Sequence, residues 1–368
     1  MTRFSKSAVG RAALVALVVV LVFSVKVSAK QAYVLAPDGG YLVVDESSLA
    51  TVKTGNIWED FKAQDPKSPV IAFASGNMIL DARADARSGL AFLLFGSPKA
   101  EELKGFLVVG AADLKPVGVI LQPMALGPVI LLPNPALDRI YVSYLKPVRA
   151  AGTGYTQATS VYELSTLKAL PRTASQEMQL TPGSCVVGDG SLLYSNHRVY
   201  DARTTKEGHS TRFERKPYLD VDCQGGKVLL LSATPEKKTL LTVFDPASNQ
   251  TIAEIKTDSD FQINQGEWKL AQDGQTVVRD EQKTVPVGDS RMLVRTGQLS
   301  FFDVASSAKK SEIRVPDVTE GSGPVGQSAS GNYWFYRTPE KLYVVDLGKR
   351  SILGNIKTTF DVVGVIWP

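Results

Sequence analysis

The sequence has 368 residues, of which 44% are hydrophobic, and it carries 41 Lys and Arg against 37 Asp and Glu. Four of the basic residues fall within the first 29 positions, so the rest of the chain carries 37 charges of each sign and favours neither a nucleic acid nor an anionic membrane as a partner. Two cysteines and no C-x-x-C-H segment exclude a cysteine-rich zinc site and a covalently attached haem, and no metal or other cofactor is expected.

The first 29 residues have the layout of a secretory signal peptide. Basic residues precede an apolar run at 12–25, and small residues before Lys30 predict cleavage after Ala29. An uncleaved membrane anchor is the alternative, but this run is shorter than the roughly 20 residues that span a bilayer. The sequence therefore predicts an exported domain at 30–368, secreted or periplasmic, with no membrane attachment after cleavage.

The segment at 32–55, AYVLAPDGGYLVVDESSLATVKTG, alternates apolar and polar residues and turns at PDGG and at DESS. Side chains that alternate at every residue are typical of β-strands, and the segment predicts three of them, at 31–36, 40–45 and 50–55. No convincing amphipathic helix of ten or more residues is found elsewhere. The same pattern of strands and turns recurs at 105–121, 193–207, 228–257, 297–315 and 333–358.

An acidic residue ends the second strand of nearly every copy. A carboxylate at the start of a turn accepts hydrogen bonds from the N–H groups of that turn, so these residues are interpreted as structural and not as catalytic. We call these positions landmarks, and one copy has Gly110 in place of the acid. Successive landmarks are 38 to 65 residues apart and define seven units of about 48 residues. This length is typical of four-stranded propeller blades. The acidic landmarks are Asp45, Glu163, Asp201, Asp245, Asp303 and Asp346.

The two ends of the chain complement each other. The first segment supplies three strands and lacks an innermost one, whereas FDVVGVIWP at 360–368 forms a single apolar strand. Placing 362–367 in the innermost position of the first blade closes the ring and removes a free sheet edge. The sequence therefore predicts an all-β fold over residues 30–368, a seven-bladed β-propeller closed by pairing of the C-terminal strand with the N-terminal blade.

The opening segment resembles the YVTN family of bacterial β-propeller repeats. In that family a Tyr-Val strand, a Gly/Asn-rich turn, a Val-x-Val-x-Asp strand and a Thr-rich third strand recur, and IYVSYL at 140–145 and KLYVVDLGKRSILGNI at 341–356 fit the same pattern. The Tyr-Val pair is clear in the first and third blades. The resemblance implies a bacterial seven-bladed propeller similar to the amine-dehydrogenase heavy-chain type, and it implies no catalytic residue.

Three connections are longer than the others, at 56–76 between the first two blades, at 146–159 within the third and at 281–297 within the sixth. Successive connections in a blade alternate between the two faces of the disc, and these three fall on the same face. Binding residues concentrate on loops that a rigid scaffold carries, so this face is the predicted binding surface. Packing against the disc is the alternative role for Trp58. The candidate binding residues are Trp58, Arg149, Tyr155, Asp289 and Arg291.

Charged residues on the first strands of two blades form a second candidate site, in the central channel. Asp81 and Arg83 belong to DARAD at 81–85, and Asp222 belongs to LDVD at 219–222. Closely spaced carboxylates hold calcium or act as acid and base in other proteins, but no Asp-rich loop with calcium spacing accompanies these. They are therefore candidate ligand-binding residues, with solvated channel charges as the alternative, and no metal site is predicted.

Histidine is scarce, since only His197 and His209 are present, and neither is accompanied by a serine in a nucleophile-elbow context. A Ser-His-Asp or three-histidine zinc mechanism is therefore not expected, and no catalytic residue is predicted.

The first hypothesis is an exported, monomeric, non-enzymatic propeller that binds or scaffolds a protein or envelope partner through its long-loop face. The alternative is a lactonase-like enzyme or the propeller subunit of a periplasmic dehydrogenase. Cys185 and Cys223 form either one disulfide or two buried thiols, and both alternatives stay open.

Overall fold

Short antiparallel strands build most of the structure, a computed structural model. It describes residues 30–64, 66–67, 71, 77–97, 103–147, 155–171, 178–181, 183–214, 217–261, 267–287 and 290–368. The predicted signal peptide lies outside the described residues.

The first nine strands run from residue 31 to residue 163, and a short helix follows the third of them. The helix α1 spans Ile57–Gln64, and a 3₁₀ turn at Pro135–Leu137 joins the seventh and eighth strands. The strands are β1 Gln31–Leu35, β2 Gly40–Asp45, β3 Thr51–Asn56, β4 Met78–Asp85, β5 Leu90–Gly96, β6 Leu103–Gly110, β7 Pro116–Asn134, β8 Arg139–Pro147 and β9 Tyr155–Glu163.

The next sixteen strands form four sheets of four strands, and within each sheet neighbours in the chain pair antiparallel. The second sheet contains β10 Cys185–Val187, β11 Leu192–Ser195, β12 Arg198–Asp201 and β13 Glu207–Ser210. The third contains β14 Leu219–Gln224, β15 Lys227–Ala233, β16 Lys238–Asp245 and β17 Gln250–Asp260. The fourth contains β18 Trp268–Leu270, β19 Thr276–Val287, β20 Ser290–Asp303 and β21 Ala308–Arg314. The fifth contains β22 Gly323–Gln327, β23 Tyr333–Arg337, β24 Lys341–Asp346 and β25 Ser351–Lys357.

The last strand, β26 (Gly364–Ile366), pairs with the first. Tyr33 lies opposite Ile366 in an antiparallel ladder, and on its other side β26 meets β4 in a parallel pairing of Gly364 with Ala82. The predicted pairing of the C-terminal strand with the N-terminal segment is therefore confirmed. The first sheet consequently has ten strands, in the order β3-β2-β1-β26-β4-β5-β6-β7-β8-β9.

The fold is an all-β β-propeller, but the prediction of seven blades is wrong, because the structure has five sheets. Strands expected in three separate blades are joined in the ten-stranded sheet. One join is β7, which pairs with β6 through its first half and with β8 through its second half. The other join is at Gly364, where an added Cβ would lie 2.6 Å from the Cβ of Ala82, so the missing side chain lets β26 and β4 approach. Alternation alone does not show where one sheet ends, and no Asn-Gly or Asp-Gly turn interrupts β7.

The acidic landmarks form one recurring turn, which is distributed over the five sheets. Asp45 accepts hydrogen bonds from the Ser47 hydroxyl at 2.6 Å and from the Ser48 N–H at 2.9 Å. These bonds favour the ionised carboxylate and lower the pKa of Asp45 to about 2. The structural role predicted for these acids is thus confirmed for Asp45. Four residues after each landmark, the backbone has a positive φ, at Leu49, Leu114, Leu167, Thr205, Asn249, Ser307 and Arg350.

Apolar clusters fill the spaces between neighbouring sheets. Trp367 is 2% exposed and lies between the first and fifth sheets, with its ring centroid 5.5 Å from that of Tyr333 and 5.3 Å from that of Phe335. Phe301 and Trp334 belong to the cluster between the fourth and fifth sheets. Because each sheet buries both of its faces against neighbours, the sheets stand around a central axis. The first strand is innermost in each four-stranded sheet, and β26, β4 and the second half of β7 are innermost in the ten-stranded sheet.

The contacts of Trp367 predict a large effect of removing its side chain. Trp367→Ala leaves a cavity between the first and fifth sheets and is expected to lower the free energy of unfolding by about 3–5 kcal/mol. Urea unfolding followed by fluorescence measures this change. Leu353→Ala is the control, because Leu353 is 44% exposed and its truncation is expected to change stability by less than about 0.5 kcal/mol. If both substitutions lowered the free energy of unfolding by the same amount, the C-terminal segment would not be what holds the ring closed.

The Asp45 turn predicts a pH dependence of stability. A carboxylate whose pKa is lower in the folded than in the unfolded chain stabilises the fold above the unfolded pKa of about 3.9, and this contribution is lost as the pH falls through about 2. Removing both hydroxyls with Ser47→Ala and Ser48→Ala is expected to raise the pKa of Asp45 and to reduce the loss of stability between about pH 4 and 2. Carboxyl-carbon NMR titration measures the pKa. Ser306→Ala, which alters the matching turn at Asp303, is expected to leave the pKa of Asp45 unchanged.

Candidate functional site

A cavity of about 1160 Å³ occupies the centre of the propeller. Its wall is built by the innermost strands β4, β10, β14, β18 and β22, by the second half of β7, and by the residues that precede β26. These strands all begin on the face where one sheet connects to the next. Residues far apart in the sequence therefore meet at the same depth of one channel.

Lys269 is the central cation of the channel. Its Nζ lies 3.8 Å from Asp222 Oδ1 and 3.6 Å from Glu267 Oε1, both longer than an ordinary hydrogen bond. Burial acts to lower the pKa of Lys269, but the carboxylates of Asp222 and Glu267 outweigh it, and the pKa is raised above its ordinary value. Lys269 is therefore held as an ammonium. The second oxygen of Asp222 accepts the N–H of Leu270 at 2.8 Å, which fixes that carboxylate in the wall.

Arg83 projects into the channel from β4, on a different sheet from Lys269. Its Nε donates a hydrogen bond of 2.9 Å to Asp81 Oδ2, and its side chain is 64% exposed. The positive charge of Arg83 is close enough to act against the protonation of Lys269. The structure thus places all three predicted channel residues, Asp81, Arg83 and Asp222, in the wall of one cavity.

Glutamine side chains cross the end of the channel that lies opposite the starts of the innermost strands. Gln224 at the end of β14 donates to Gln327 Oε1 at the end of β22, over 3.0 Å, and Gln327 in turn donates to the Gly331 carbonyl at 2.9 Å. Sequence reasoning missed these residues and also Glu267 and Lys269. Their position in the repeat could have identified Glu267 and Lys269, because EWKL at 267–270 forms the first strand of its repeat just as LDVD at 219–222 does in the preceding repeat.

A disulfide joins Cys185 of β10 to Cys223 of β14, with the two Cα atoms 6.0 Å apart. Of the two alternatives left open by the sequence, the structure has the disulfide. Both residues line the cavity, so the bond ties the innermost strands of the second and third sheets together at the channel wall.

His197 lies in a buried polar cluster beside the channel and not in a catalytic triad. The Tyr194 hydroxyl donates to Asp220 Oδ1 at 2.8 Å and lies 3.2 Å from His197 Nδ1, while His197 Nε2 is 3.0 Å from the Tyr218 carbonyl. Burial raises the pKa of Asp220. Because both ring nitrogens of His197 face these groups, the imidazole ties the β11–β12 turn to the start of β14. Among the residues that the structure describes, it makes no hydrogen bond to a serine hydroxyl.

Trp58 lies on α1, in the first of the three long connections. Its indole covers Gly39 so closely that a Cβ at Gly39 would lie 2.4 Å from Trp58 Nε1, and its ring meets that of Phe61 edge to face at 6.3 Å. Ile57 and Phe61 are buried in the core, and the Tyr41 hydroxyl donates to the carboxylate of Asp60. The packing role stated as the alternative for Trp58 is therefore present. Its contact with a partner stays a prediction.

The other two long connections are extensions of strands. The β19–β20 ladder continues to the pair Val287 and Ser290, and the β8–β9 ladder continues to Pro147 and Tyr155. Tyr155 and Arg291 lie on these strands close to the tips, although their side chains are outside the described residues. Arg149 and Asp289 also lie outside the described residues. The binding roles of these four stay predictions.

An ion-pair network anchors the β19–β20 hairpin to the rim of the channel. Asp280 is fully buried and is paired with Arg295 on the partner strand, and Tyr336 of the neighbouring sheet lies 3.3 Å from the same carboxylate. Arg295 also reaches Glu267 at 3.9 Å. The hairpin therefore has a rigid base and connects directly with the charged centre of the channel.

Solved structures support the propeller fold. The chain is similar to hydrazine synthase from Kuenenia stuttgartiensis, with a TM-score of 0.52 and 11% identity over 78% of this chain and 88% of that chain. It is similar to apo AztD from Citrobacter koseri, with a TM-score of 0.52 and 10% identity over 91% of this chain and 96% of that chain. At these identities the likeness shows the β-propeller fold alone.

No protein-family model matches the sequence, and no curated protein matches it. The YVTN and amine-dehydrogenase resemblances therefore stay predictions. Within the described ranges, no helix has the length and apolar character needed to cross a membrane. The same part of the chain contains no group of three or more His, Cys, Asp or Glu residues arranged to hold a metal ion.

The disulfide predicts a measurable contribution to stability. The bond closes a loop of 38 residues, and restricting such a loop in the unfolded chain corresponds to about 4 kcal/mol. Cys185→Ala combined with Cys223→Ala is expected to lower the free energy of unfolding by about 2–4 kcal/mol in urea. The reduced wild-type protein is expected to behave like the double variant, and reductant is expected to leave that variant unchanged. A wild-type protein that is insensitive to reductant would contradict the role of the bond.

Proposed function

We propose that this protein is an exported, non-enzymatic β-propeller that binds a protein partner through the face carrying α1 and the β8–β9 and β19–β20 hairpins, called here the loop face. The observation that carries the proposal is a set of exposed apolar side chains on that face. Leu80 and Leu219 lie at the starts of innermost strands, and Met292 and Leu293 lie on the β19–β20 hairpin; each is between 37% and 41% exposed.

Exposed apolar side chains scattered singly are ordinary on protein surfaces, but a group of them on one face is typical of interaction sites. The β19–β20 hairpin adds a rigid projection to this group, because the buried Asp280–Arg295 pair holds its base. A preorganised projection binds with a smaller loss of conformational entropy than a flexible loop. These features support recognition of a folded protein surface.

Export is supported by the layout of the first 29 residues and by the disulfide. Disulfides form and persist in oxidising compartments such as the periplasm and the extracellular space. The recurring turn, with an acidic residue in six of its seven copies, supports the resemblance to YVTN repeats, and that resemblance agrees with a bacterial envelope setting.

Partner capture with matched variants tests the proposal. Tagged residues 30–368 are incubated with an extract of the native envelope, a captured protein is identified and purified, and its affinity is measured by calorimetry. Met292→Asp combined with Leu293→Asp places charges on the apolar part of the hairpin and is expected to weaken binding at least tenfold. Ile252→Asp combined with Leu353→Asp is the control, because these equally exposed residues lie on outermost strands away from the loop face.

Equal loss of affinity in both double variants would contradict the loop-face assignment. Binding to purified cell-wall polymer or lipid vesicles, with no protein captured, would contradict a protein partner and leave an envelope component as the ligand. Circular dichroism of each variant is expected to show an unchanged melting temperature, since all four substitutions are at exposed positions.

A further inference from the structure

The central cavity has the size and shape of a ligand site. Its volume of about 1160 Å³ is ample for a small molecule, and the Gln224–Gln327 hydrogen bond lies at the end away from the loop face. The starts of the innermost strands border the other end, on the loop face. The walls between the charged groups are apolar, since Leu132, Val186 and Val325 contribute to them.

Two cations offer hydrogen-bond donors to this space. Arg83 uses Nε for Asp81, and no partner is found among the described residues for its two terminal amino groups. Lys269 has its nearest carboxylate oxygens at 3.6 and 3.8 Å, so its ammonium makes no short hydrogen bond within the same residues. The two cations come from β4 and β18 and approach the cavity from different walls. Arg83 lies close enough to Lys269 to act against its protonation, so an anionic group bound near both would meet two positive charges.

Two carboxylates in the same space remain accessible. Asp81 is 35% exposed and Glu267 is 38% exposed. One oxygen of Asp81 is paired with Arg83, and the two oxygens of Glu267 lie at longer distances, 3.6 Å from Lys269 and 3.9 Å from Arg295. Asp222, in contrast, is 10% exposed at its side chain and is occupied by the Leu270 N–H. The accessible groups of the channel are thus of both signs, and Asp85 and Arg87 at the end of β4 add one more of each. Arg337 also lines the cavity, but its terminal amino groups donate to the Val362 and Gly321 carbonyls.

This balance decides the charge of the ligand. A simple anion would meet the carboxylates of Asp81 and Glu267, and a simple cation would meet Arg83 and Lys269, so either would leave a like charge close by in a partly desolvated site. A molecule with one group of each sign satisfies both pairs, and its apolar part contacts the walls. We infer that the cavity is a second binding site, separate from the loop face, for a zwitterionic ligand with a free ammonium and a free carboxylate, namely a short peptide.

A tripeptide library tests this inference. The disulfide-intact protein is equilibrated by dialysis against random tripeptides with free termini, each near its solubility-limited concentration, and the retained peptides are identified by mass spectrometry. A retained peptide is then resynthesised with an acetylated amino terminus or an amidated carboxyl terminus. Blocking either end is expected to weaken binding at least tenfold, which corresponds to about 1.4 kcal/mol.

Two channel variants and one control test whether the tripeptide binds in the cavity. Lys269→Met and Arg83→Met are each expected to weaken binding of the same tripeptide at least tenfold. Arg83 is largely exposed, so this second variant keeps the test valid even if the loss of the Lys269 charge affects folding. Lys283→Met, on the exposed part of the β19–β20 hairpin, is the matched control and is expected to bind like the wild type.

The inference is overturned if the library leaves no peptide on the protein, or if the blocked peptides bind as well as the free ones. It is also overturned if Arg83→Met binds the tripeptide with wild-type affinity. These results are independent of the loop-face proposal, because the Met292→Asp and Leu293→Asp variant keeps every channel residue and is expected to bind the tripeptide normally.

Discussion

The pairing of β26 with β1 is the constraint on which the rest of the structure depends. This short strand has β1 on one side and β4 on the other, so it joins the two ends of the chain and also continues the sheet into the next strands. Without it, the edges of β1 and β4 would both present unpaired backbone groups. Closure is sterically exact at Gly364, because the space that a side chain would need there is occupied by Ala82.

Closure also creates the channel. Once the sheets stand around an axis, every innermost strand turns one row of side chains toward the centre, and the charges at Asp81, Asp222 and Lys269 face the same cavity. The disulfide between Cys185 and Cys223 adds a covalent tie between the innermost strands at this wall. The arrangement of charges at the centre is therefore a consequence of the ring and not of a local motif.

Local features of the fold were predictable from the sequence, because they depend on neighbouring residues. The apolar strand β2 and the hydrogen bonds of the Asp45 turn are set within a few positions, and the apolar end of the chain indicated its role in closure. The number of sheets was not predictable, because β7 stays one continuous strand while its pairing partner changes near Gly127 and Pro128, residues that usually mark a turn. Side chains alternate with a period of two residues on both sides of such a junction, so the alternation does not reveal the change of pairing partner.

The candidate sites divide in the same way. Asp81, Arg83 and Asp222 were found because they cluster in the sequence, whereas Glu267 and Lys269 flank Trp268 at β18, a strand of three residues that gives little alternation to recognise. A sequence separation of 38 residues likewise did not decide whether the two cysteines meet. For Trp58, an aromatic residue in a long connection is compatible with packing and with binding alike, and only the position of its ring over Gly39 shows the packing role.

Glu267 connects the two proposed sites physically. Its carboxylate lies 3.6 Å from Lys269 in the channel and 3.9 Å from Arg295 at the base of the hairpin. A ligand ammonium that attracts Glu267 inside the cavity competes with Arg295 for that charge, and Arg295 then relies on Asp280 alone. The arrangement therefore places the carboxylate that would meet the proposed ligand next to the arginine that holds the base of the β19–β20 hairpin.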